Sequence, residues 1–387
     1  MAGRKRVLFY VQHLLGIGHL KRAATITRAA QGAGLDVTLV SGGNPVPGLA
    51  LGDARVIQLP ALRAADRYFK ILIDERGREW DDAFKIRRRD LLLEAYAEIR
   101  PHVIVTELFP FGRRQLRGEI LALLDAARSS APRPIIACSV RDILVEPPKP
   151  ERITEMLQRI ESHYDAVMVH GDPTLIPFDA TFPPAARIVD KLRYTGYVVD
   201  TTGRAGPNQP GAGEVLVSAG GGAVSETLFR AAMEARSMTG LADATWRILA
   251  GPALPEAEFH AIAADAPAGI IVERARPDFT SLLANCALSI SQGGYNTVME
   301  VMAARIKGVI VPYAGGLETE QTLRADLLRD YAALQVLDEN AVTPATIANS
   351  VEAALAGPPA AATKLDTGGA ENSARILAEL AERCSAP

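Results

Sequence analysis

Short continuous apolar runs alternate with amphipathic stretches along almost the whole chain, and the alternation is interrupted once. The runs at 7–13, 37–42, 56–59, 103–108, 135–140 and 166–170 are short and apolar on both faces. That pattern belongs to parallel strands covered on both sides. Amphipathic helical segments lie between several of them, for example at 117–127 and 153–163. Residues 200–213 then carry Gly203, Gly206, Pro207, Pro210, Gly211 and Gly213 and almost no apolar side chain, so they read as a linker. Afterwards the pattern restarts, with strand-like runs at 215–218, 247–250, 270–272, 287–291, 309–312 and 334–337. A chain of 387 residues exceeds what one core usually supports. The expectation is an α/β protein of two doubly wound, Rossmann-like domains, 1–199 and 214–387, joined by the linker 200–213. Ligands of such folds bind beyond the carboxyl ends of the strands, here in a cleft that the two domains face. Residues 371–383 read as a last helix with Ile376, Leu377 and Leu380 on one face.

Three windows combine strand ends with glycine. The richest runs Ser291-Gln292-Gly293-Gly294-Tyr295-Asn296-Thr297-Val298-Met299-Glu300. An apolar run ends at Ser291, Gly293 and Gly294 let the backbone come close to a ligand, and a helix follows. The N–H groups of its first turn, around Asn296 and Thr297, suit a phosphate or pyrophosphate. Glu300, about two turns in, can accept hydrogen bonds from sugar hydroxyls. The same spacing also fits an ordinary strand–turn–helix packed by glycine.

The second window is Gly16-Ile17-Gly18-His19-Leu20-Lys21-Arg22, after the first strand. It places His19 at a helix N-terminus, where the dipole favours neutral imidazole, a form able to act as a base. A hydrogen-bonded structural histidine is the alternative. The third window, Gly220-Gly221-Gly222, follows the first strand of the second half. It reads as a phosphate-approach loop but completes no nucleotide fingerprint. Glu107 closes the fourth strand-like run and is placed to assist His19 or to hold an acceptor. Arg113 and Arg114 follow it, and Arg141-Asp142 closes the next run.

The Ser291–Glu300 window resembles the donor site of GT-B glycosyltransferases, in particular the MurG-like family with its family 28 C-terminal domain. That family moves N-acetylglucosamine from UDP to a lipid-linked acceptor. The resemblance implies a nucleotide-diphosphate sugar donor, with UDP as nucleotide. Gly293 and Gly294 would meet the diphosphate, Glu300 the ribose, and Gln321 with its neighbour Glu320 the donor sugar, from the loop after the next strand. It also implies catalysis without a bound metal or cofactor, and a last helix that packs back on the N-terminal domain. The first window resembles, in addition, the GT-B-shaped nucleotide-sugar hydrolases of the pseudaminic-acid pathway. There the matching histidine activates water. The expected activity is therefore transfer of a hexose or N-acetylhexosamine to an acceptor hydroxyl, with hydrolysis of the nucleotide sugar as the alternative.

Charge and composition narrow the setting. Residues 1–199 carry 29 Lys and Arg against 23 Asp and Glu, whereas 200–387 carry 13 against 22. A basic first half, with the run Lys85-Ile86-Arg87-Arg88-Arg89, suits an anionic acceptor, a peripheral contact with a membrane surface, or simply a solvated face. No nucleic-acid partner is expected. No apolar run of about 18 residues is present and no signal peptide is legible, so a cytoplasmic location is expected, with or without peripheral contact at the inner membrane face. Cys138, Cys286 and Cys384 are far apart and form neither a metal spacing nor a disulfide framework.

Overall fold

The computed structural model describes residues 3–66, 69–144, 149–201, 203, 205–206, 208–219, 225–252, 254–313, 320–329, 334–358 and 365–384. The chain divides into two compact units, Met1–Val198 with Leu365–Pro387, and Val199–Lys364.

The first unit is built on strands β1 (Arg6–Val11), β2 (Asp36–Ser41), β3 (Arg55–Gln58), β6 (Val103–Glu107), β7 (Ile135–Arg141), β8 (Ala166–His170) and β9 (Leu192–Tyr194). They form one sheet in the order β3-β2-β1-β6-β7-β8-β9, and every pairing is parallel. The two-residue strands β4 (Arg63–Ala64) and β5 (Leu72–Ile73) pair antiparallel apart from it. These and β9 are too short to leave a periodic trace in the sequence. Val7, Phe9 and Val11 face one layer and Leu8 and Tyr10 the other, all of them buried. That two-sided burial is why β1 reads as a continuous apolar run. Gln12 and His13 belong to the following loop rather than to the strand. The Gln12 amide donates to the carbonyls of His13 and Leu62, and its own carbonyl accepts from Arg113.

Helices α2 (Asp82–Ile99), α3 (Arg117–Arg128) and α4 (Pro150–His163) cover one face of this sheet. The other face is covered by α1 (Gly18–Gly32) and by α11 (Gly369–Arg383), which packs along α1. Ile376, Leu377 and Leu380 of α11 are buried with Leu20, Ala23 and Ile26 of α1. The return is pinned locally. Val198 bridges Gly368, the Asp366 amide donates to Asp172, and Asn372 donates to the Thr195 carbonyl.

The second unit repeats the plan. Strands β10 (Val215–Ala219), β11 (Trp246–Ala250), β12 (Ile270–Arg274), β13 (Leu288–Gln292), β14 (Gly308–Val311) and β15 (Leu334–Val336) form a parallel sheet in the order β12-β11-β10-β13-β14-β15. Its helices are α5 (Ser225–Ala235), α6 (Glu256–Ala264), α7 (Phe279–Asn285), α8 (Tyr295–Ala304), α9 (Glu320–Leu328) and α10 (Pro344–Ala356). Thr343 caps α10 through a reciprocal bond with Thr346, and Pro344 occupies its first position. The Gly- and Pro-rich stretch before β10 lies against α7. The Gly206 amide donates to the Asn285 side chain, and a Cβ on Gly211 would stand 2.5 Å from the Leu282 carbonyl oxygen. Gly211 also has φ +89°, so both its backbone and its surroundings demand glycine. Both sheets reverse strand order beside their first strand, the topology at which ligands meet doubly wound sheets.

Candidate active site

In the first unit, β1 and β6 are neighbours, so the loop after β1 and the end of β6 meet at one sheet edge. His19, the second residue of α1, comes 2.8 Å from Glu107 through its Nδ1 atom. Glu107 is the last residue of β6 and is 1% exposed. It also accepts from the Arg22 guanidinium, one turn along α1, and from the Ser139 hydroxyl of β7. Arg141, the last residue of β7, donates from Nη2 to His19 Nε2 at 3.1 Å. Arg22 Nη2 also lies 3.2 Å from Nδ1, so guanidinium groups, which only donate, face both ring nitrogens; the accept-only Glu107 carboxylate at 2.8 Å decides for a proton on Nδ1, and Nε2 accepts from Arg141. That assignment sets the tautomer of His19.

The polar chain continues behind Glu107. His170, at the end of β8, lies 2.7 Å from Ser139 through Nε2 and 2.9 Å from the Thr195 hydroxyl through Nδ1. Ser139 already donates to Glu107, so it accepts from His170 Nε2, while the Thr195 hydroxyl beside Nδ1 also donates to the Gly196 carbonyl at 2.8 Å. His170 and Ser139 thus hand their donors on toward one carboxylate. Burial pushes the His170 imidazole down to about 3, with Arg22 adding to the shift. His19 is likewise lowered to about 3, first by burial and then by the Arg141 charge, against the pull of Glu107. Burial alone would raise Glu107, but the Arg22 charge and the His19 hydrogen bond outweigh it and hold the carboxyl well below its usual range. The site therefore contains a neutral imidazole backed by a buried carboxylate. Such a pair can take a proton at Nε2 and stabilise the imidazolium formed.

The other first-unit residues separate. Arg113 is half-buried, with φ 58°, and donates to the Gln12 carbonyl at 2.8 Å. Arg114 is exposed and pairs with Glu155. Asp142 is buried and accepts from the Tyr197 hydroxyl, a packing role. The basic run on α2 is not uniform. Lys85, Ile86 and Arg87 are exposed, whereas Arg88 is fully buried. Arg88 grips Glu119 with two hydrogen bonds, at 2.9 and 2.8 Å, and donates to the Gln12 side chain and to the carbonyls of Gly42 and Pro60. Tyr10 donates to the same carboxylate. This second buried ion pair ties the loops after β1, β2 and β3 to the helix layer, so Arg88 lies on neither a solvated face nor a lipid-facing one.

In the second unit, β13 ends in Ser291-Gln292, Gly293 and Gly294 follow, and α8 begins at Tyr295. Ser291 lies opposite Ser218 of β10, and neither hydroxyl has a hydrogen-bond partner among the described residues. Neither glycine needs a left-handed backbone. At Gly293 a Cβ would stand 3.0 Å from Pro312 Cα and 3.3 Å from the Gln321 side-chain oxygen, whereas at Gly294 it would meet open space. Gly293 is thus required by the loop after β14, and Gly294 leaves room beside the helix N-terminus. Asn296 and Thr297 are half-buried in the first turn of α8, and Glu300, its sixth residue, is buried. Gln321 is the second residue of α9 rather than part of the preceding loop, because the helix has started by Glu320. Its side-chain oxygen accepts from the Tyr313 amide at 3.1 Å. Glu320 pairs with buried Arg324 at 2.9 Å, and that guanidinium lies over the Tyr295 ring. Gly220, Gly221 and Gly222 lie outside the described residues. A Cβ on Gly16 would meet open space, and Gly18 opens α1.

The sequence windows singled out His19 and Glu107 one at a time. Arg22, Ser139 and His170 went unnoticed as members of the site, because only the pairing of β6 with β7 and of β7 with β8 brings them to Glu107. Arg22 does stand in the His-aliphatic-x-Arg spacing, and that was its single sequence signal.

Residues 217–380 match the glycosyltransferase family 28 C-terminal domain. No curated protein matches the chain. Solved structures with the same fold include the spinosyn forosaminyltransferase SpnP (TM-score 0.62, 16% identity, covering 98% of this chain and 95% of that one). The calicheamicin glycosyltransferase CalG4 gives a TM-score of 0.58 at 17% identity over 98% of this chain and 95% of its own. MurG of Acinetobacter baumannii gives 0.54 at 17% identity over 98% and 99%. The chain thus has the GT-B fold of these glycosyltransferases, and its residues 217–380 match the glycosyltransferase family 28 C-terminal domain.

Proposed function

We propose that the protein transfers a hexose or N-acetylhexosamine from a UDP-sugar to an acceptor hydroxyl, with His19 as general base. The observation that carries the reading is the 2.8 Å contact of half-buried His19 Nδ1 with the buried Glu107 carboxylate, with Nε2 turned away from it. In the proposed step Nε2 takes the acceptor hydroxyl proton while the oxygen bonds to the anomeric carbon. The bond from that carbon to the diphosphate breaks, and its electron pair leaves with UDP. Glu107 offsets the positive charge that forms on the imidazole, and Arg22 and Ser139 keep Glu107 ionised and in place.

Donor binding is assigned to the second unit. The N–H groups of the first turn of α8, with Gly294 leaving space beside them, suit the diphosphate. Glu300 is proposed for the ribose and Gln321 for the sugar. Glu320 is already paired with Arg324, which favours a supporting role for it. The family 28 domain match and the MurG likeness support UDP as the nucleotide. A bound metal or cofactor forms no part of this proposal. For a lipid-borne acceptor, the contact surface would be the exposed Lys85, Ile86 and Arg87 of α2. Salt-sensitive co-sedimentation with acidic vesicles separates that case from a small acceptor.

The test is His19→Ala. Turnover should fall by about 10²–10⁴-fold, the usual contribution of a general base. UDP affinity, measured by calorimetry, should stay unchanged. Near-normal turnover by the folded variant would make His19 structural. Hydrolysis is the second reading, favoured by the His19-x-x-Arg22 spacing. Free sugar released from a UDP-sugar without any acceptor, at the rate seen with one, would establish it.

A further inference from the structure

His19 Nε2, the atom that must take the proton, is engaged in this structure. Arg141 donates to it, and a lone pair that holds a guanidinium N–H cannot accept a hydroxyl proton. Arg113 adds a second guanidinium whose charge acts on the same imidazole. Arg113 is itself lowered to about 10, first by burial, with Arg141 contributing repulsion against the pull of Glu107. Arg141 therefore stands at the imidazole on which Glu107 already holds Nδ1, and Arg113 adds its charge from the Gln12 carbonyl. Both residues are half-buried rather than fully enclosed. Arginine forks match phosphate and carboxylate oxygens with paired, charge-assisted hydrogen bonds. Such an oxyanion competes directly with a neutral imidazole for Arg141, and a charged acceptor atom forms the stronger bond.

We propose that Arg141 is a specificity-determining latch: an oxyanion on the acceptor, of phosphate or carboxylate type, draws Arg141 off His19 Nε2, so that the base is released only when an anionic acceptor is bound. The inference rests on the reading of His19 as the base and adds the charge class of the acceptor. Removing the Arg141 charge from the ring would also restore basicity, because that charge is the second cause of the lowered His19 value. Water and neutral sugars lack the charge to open the latch, which guards the donor against hydrolysis.

The test uses the full chain labelled with nitrogen-15 in histidine. The His19 ring signals are those missing from His19→Gln. Inorganic pyrophosphate is the probe, N-acetylglucosamine the neutral control, and UDP a separate titrant. Pyrophosphate should shift the Nε2 signal of the wild type, and N-acetylglucosamine should not. Arg141→Gln should show the shifted position before any addition, bind pyrophosphate on the order of tenfold more weakly, and release more free sugar from donor alone. A wild-type Nε2 signal that pyrophosphate leaves unmoved overturns the latch, as does an equal response in Arg141→Gln. Phosphate oxygens could also come from the donor diphosphate. If UDP moves the signal as pyrophosphate does, the oxyanion belongs to the donor and the acceptor assignment falls. If Arg141→Gln does not fold, the wild-type comparison of pyrophosphate with N-acetylglucosamine still decides. The base reading fails separately, through a His19→Ala variant that keeps its turnover while the pyrophosphate shift persists.

Discussion

Replacing Glu107 by Gln keeps the outline of the side chain and removes its charge. The carboxylate accepts from His19, Arg22 and Ser139. A hydrogen bond to a charged group contributes ~1.5–3 kcal/mol and a neutral one ~0.5–1.5 kcal/mol. If each bond loses about 1 kcal/mol, the network loses about 3 kcal/mol. Arg22 sets the upper end. It is 2% exposed, and stranding one partner of a buried ion pair costs ~3–5 kcal/mol. The expected loss of unfolding free energy is therefore ~3–5 kcal/mol. Turnover should fall as well, by about 10²–10⁴-fold, because a forming imidazolium would have no counter-charge behind it. Urea titration followed by circular dichroism reads the first quantity. Donor turnover, at a temperature where both proteins are fully folded, reads the second. A Glu107→Gln protein as stable and as active as the wild type would refute both the buried pair and its part in catalysis.

Glu300→Ala should weaken UDP binding by ~1.5–3 kcal/mol with little effect on turnover at saturating donor, and unchanged affinity by calorimetry removes the ribose assignment. Gly293→Ala should cost ~1–3 kcal/mol, because the added Cβ would press on Pro312 Cα at 3.0 Å and on the Gln321 side chain at 3.3 Å; a melting temperature equal to the wild type contradicts that crowding. Stability should be full above about pH 6.5 and decline as pH falls toward 3. His19 and His170 stay neutral in the native state down to about 3, whereas the unfolded chain takes up those protons from its ordinary value of 6.5. Urea midpoints in mildly acidic and neutral buffer should therefore lie closer together in His170→Gln than in the wild type, and an equal separation contradicts the buried neutral imidazole.

The doubly wound plan was legible because buried parallel strands leave unbroken apolar runs, and the long ones at β1, β2, β6, β7, β8, β10, β11 and β13 did so. The two-residue strands and β9 left none. Glu107 was legible as a polar residue closing such a run, and His19 through the Gly-x-Gly turn just before it. Their meeting was not, since it depends on β1 lying beside β6. Arg141 is 122 positions from His19, and no local spacing carries that contact. Arg88 was hidden for the opposite reason. It sits in a run of like charges, and only the helix phase turns it alone toward Glu119. Gln321 was misplaced by the length of one loop, because the helix begins at Glu320 and the sequence reading carried the loop past it.

The pairing of α11 with α1 also bears on the order in which the protein can be made. During synthesis the strands of the first unit emerge before any of the second. Yet the apolar cluster that holds Leu20, Ala23 and Ile26 of α1 stays incomplete until residues 369–383 have left the ribosome. The second unit, Val199–Lys364, is contiguous and can close while the first still waits. The half that begins first is thus finished last. A fragment that stops at Val198 would carry His19 and Glu107 on a sheet with one apolar face covered by α1 but not by α11.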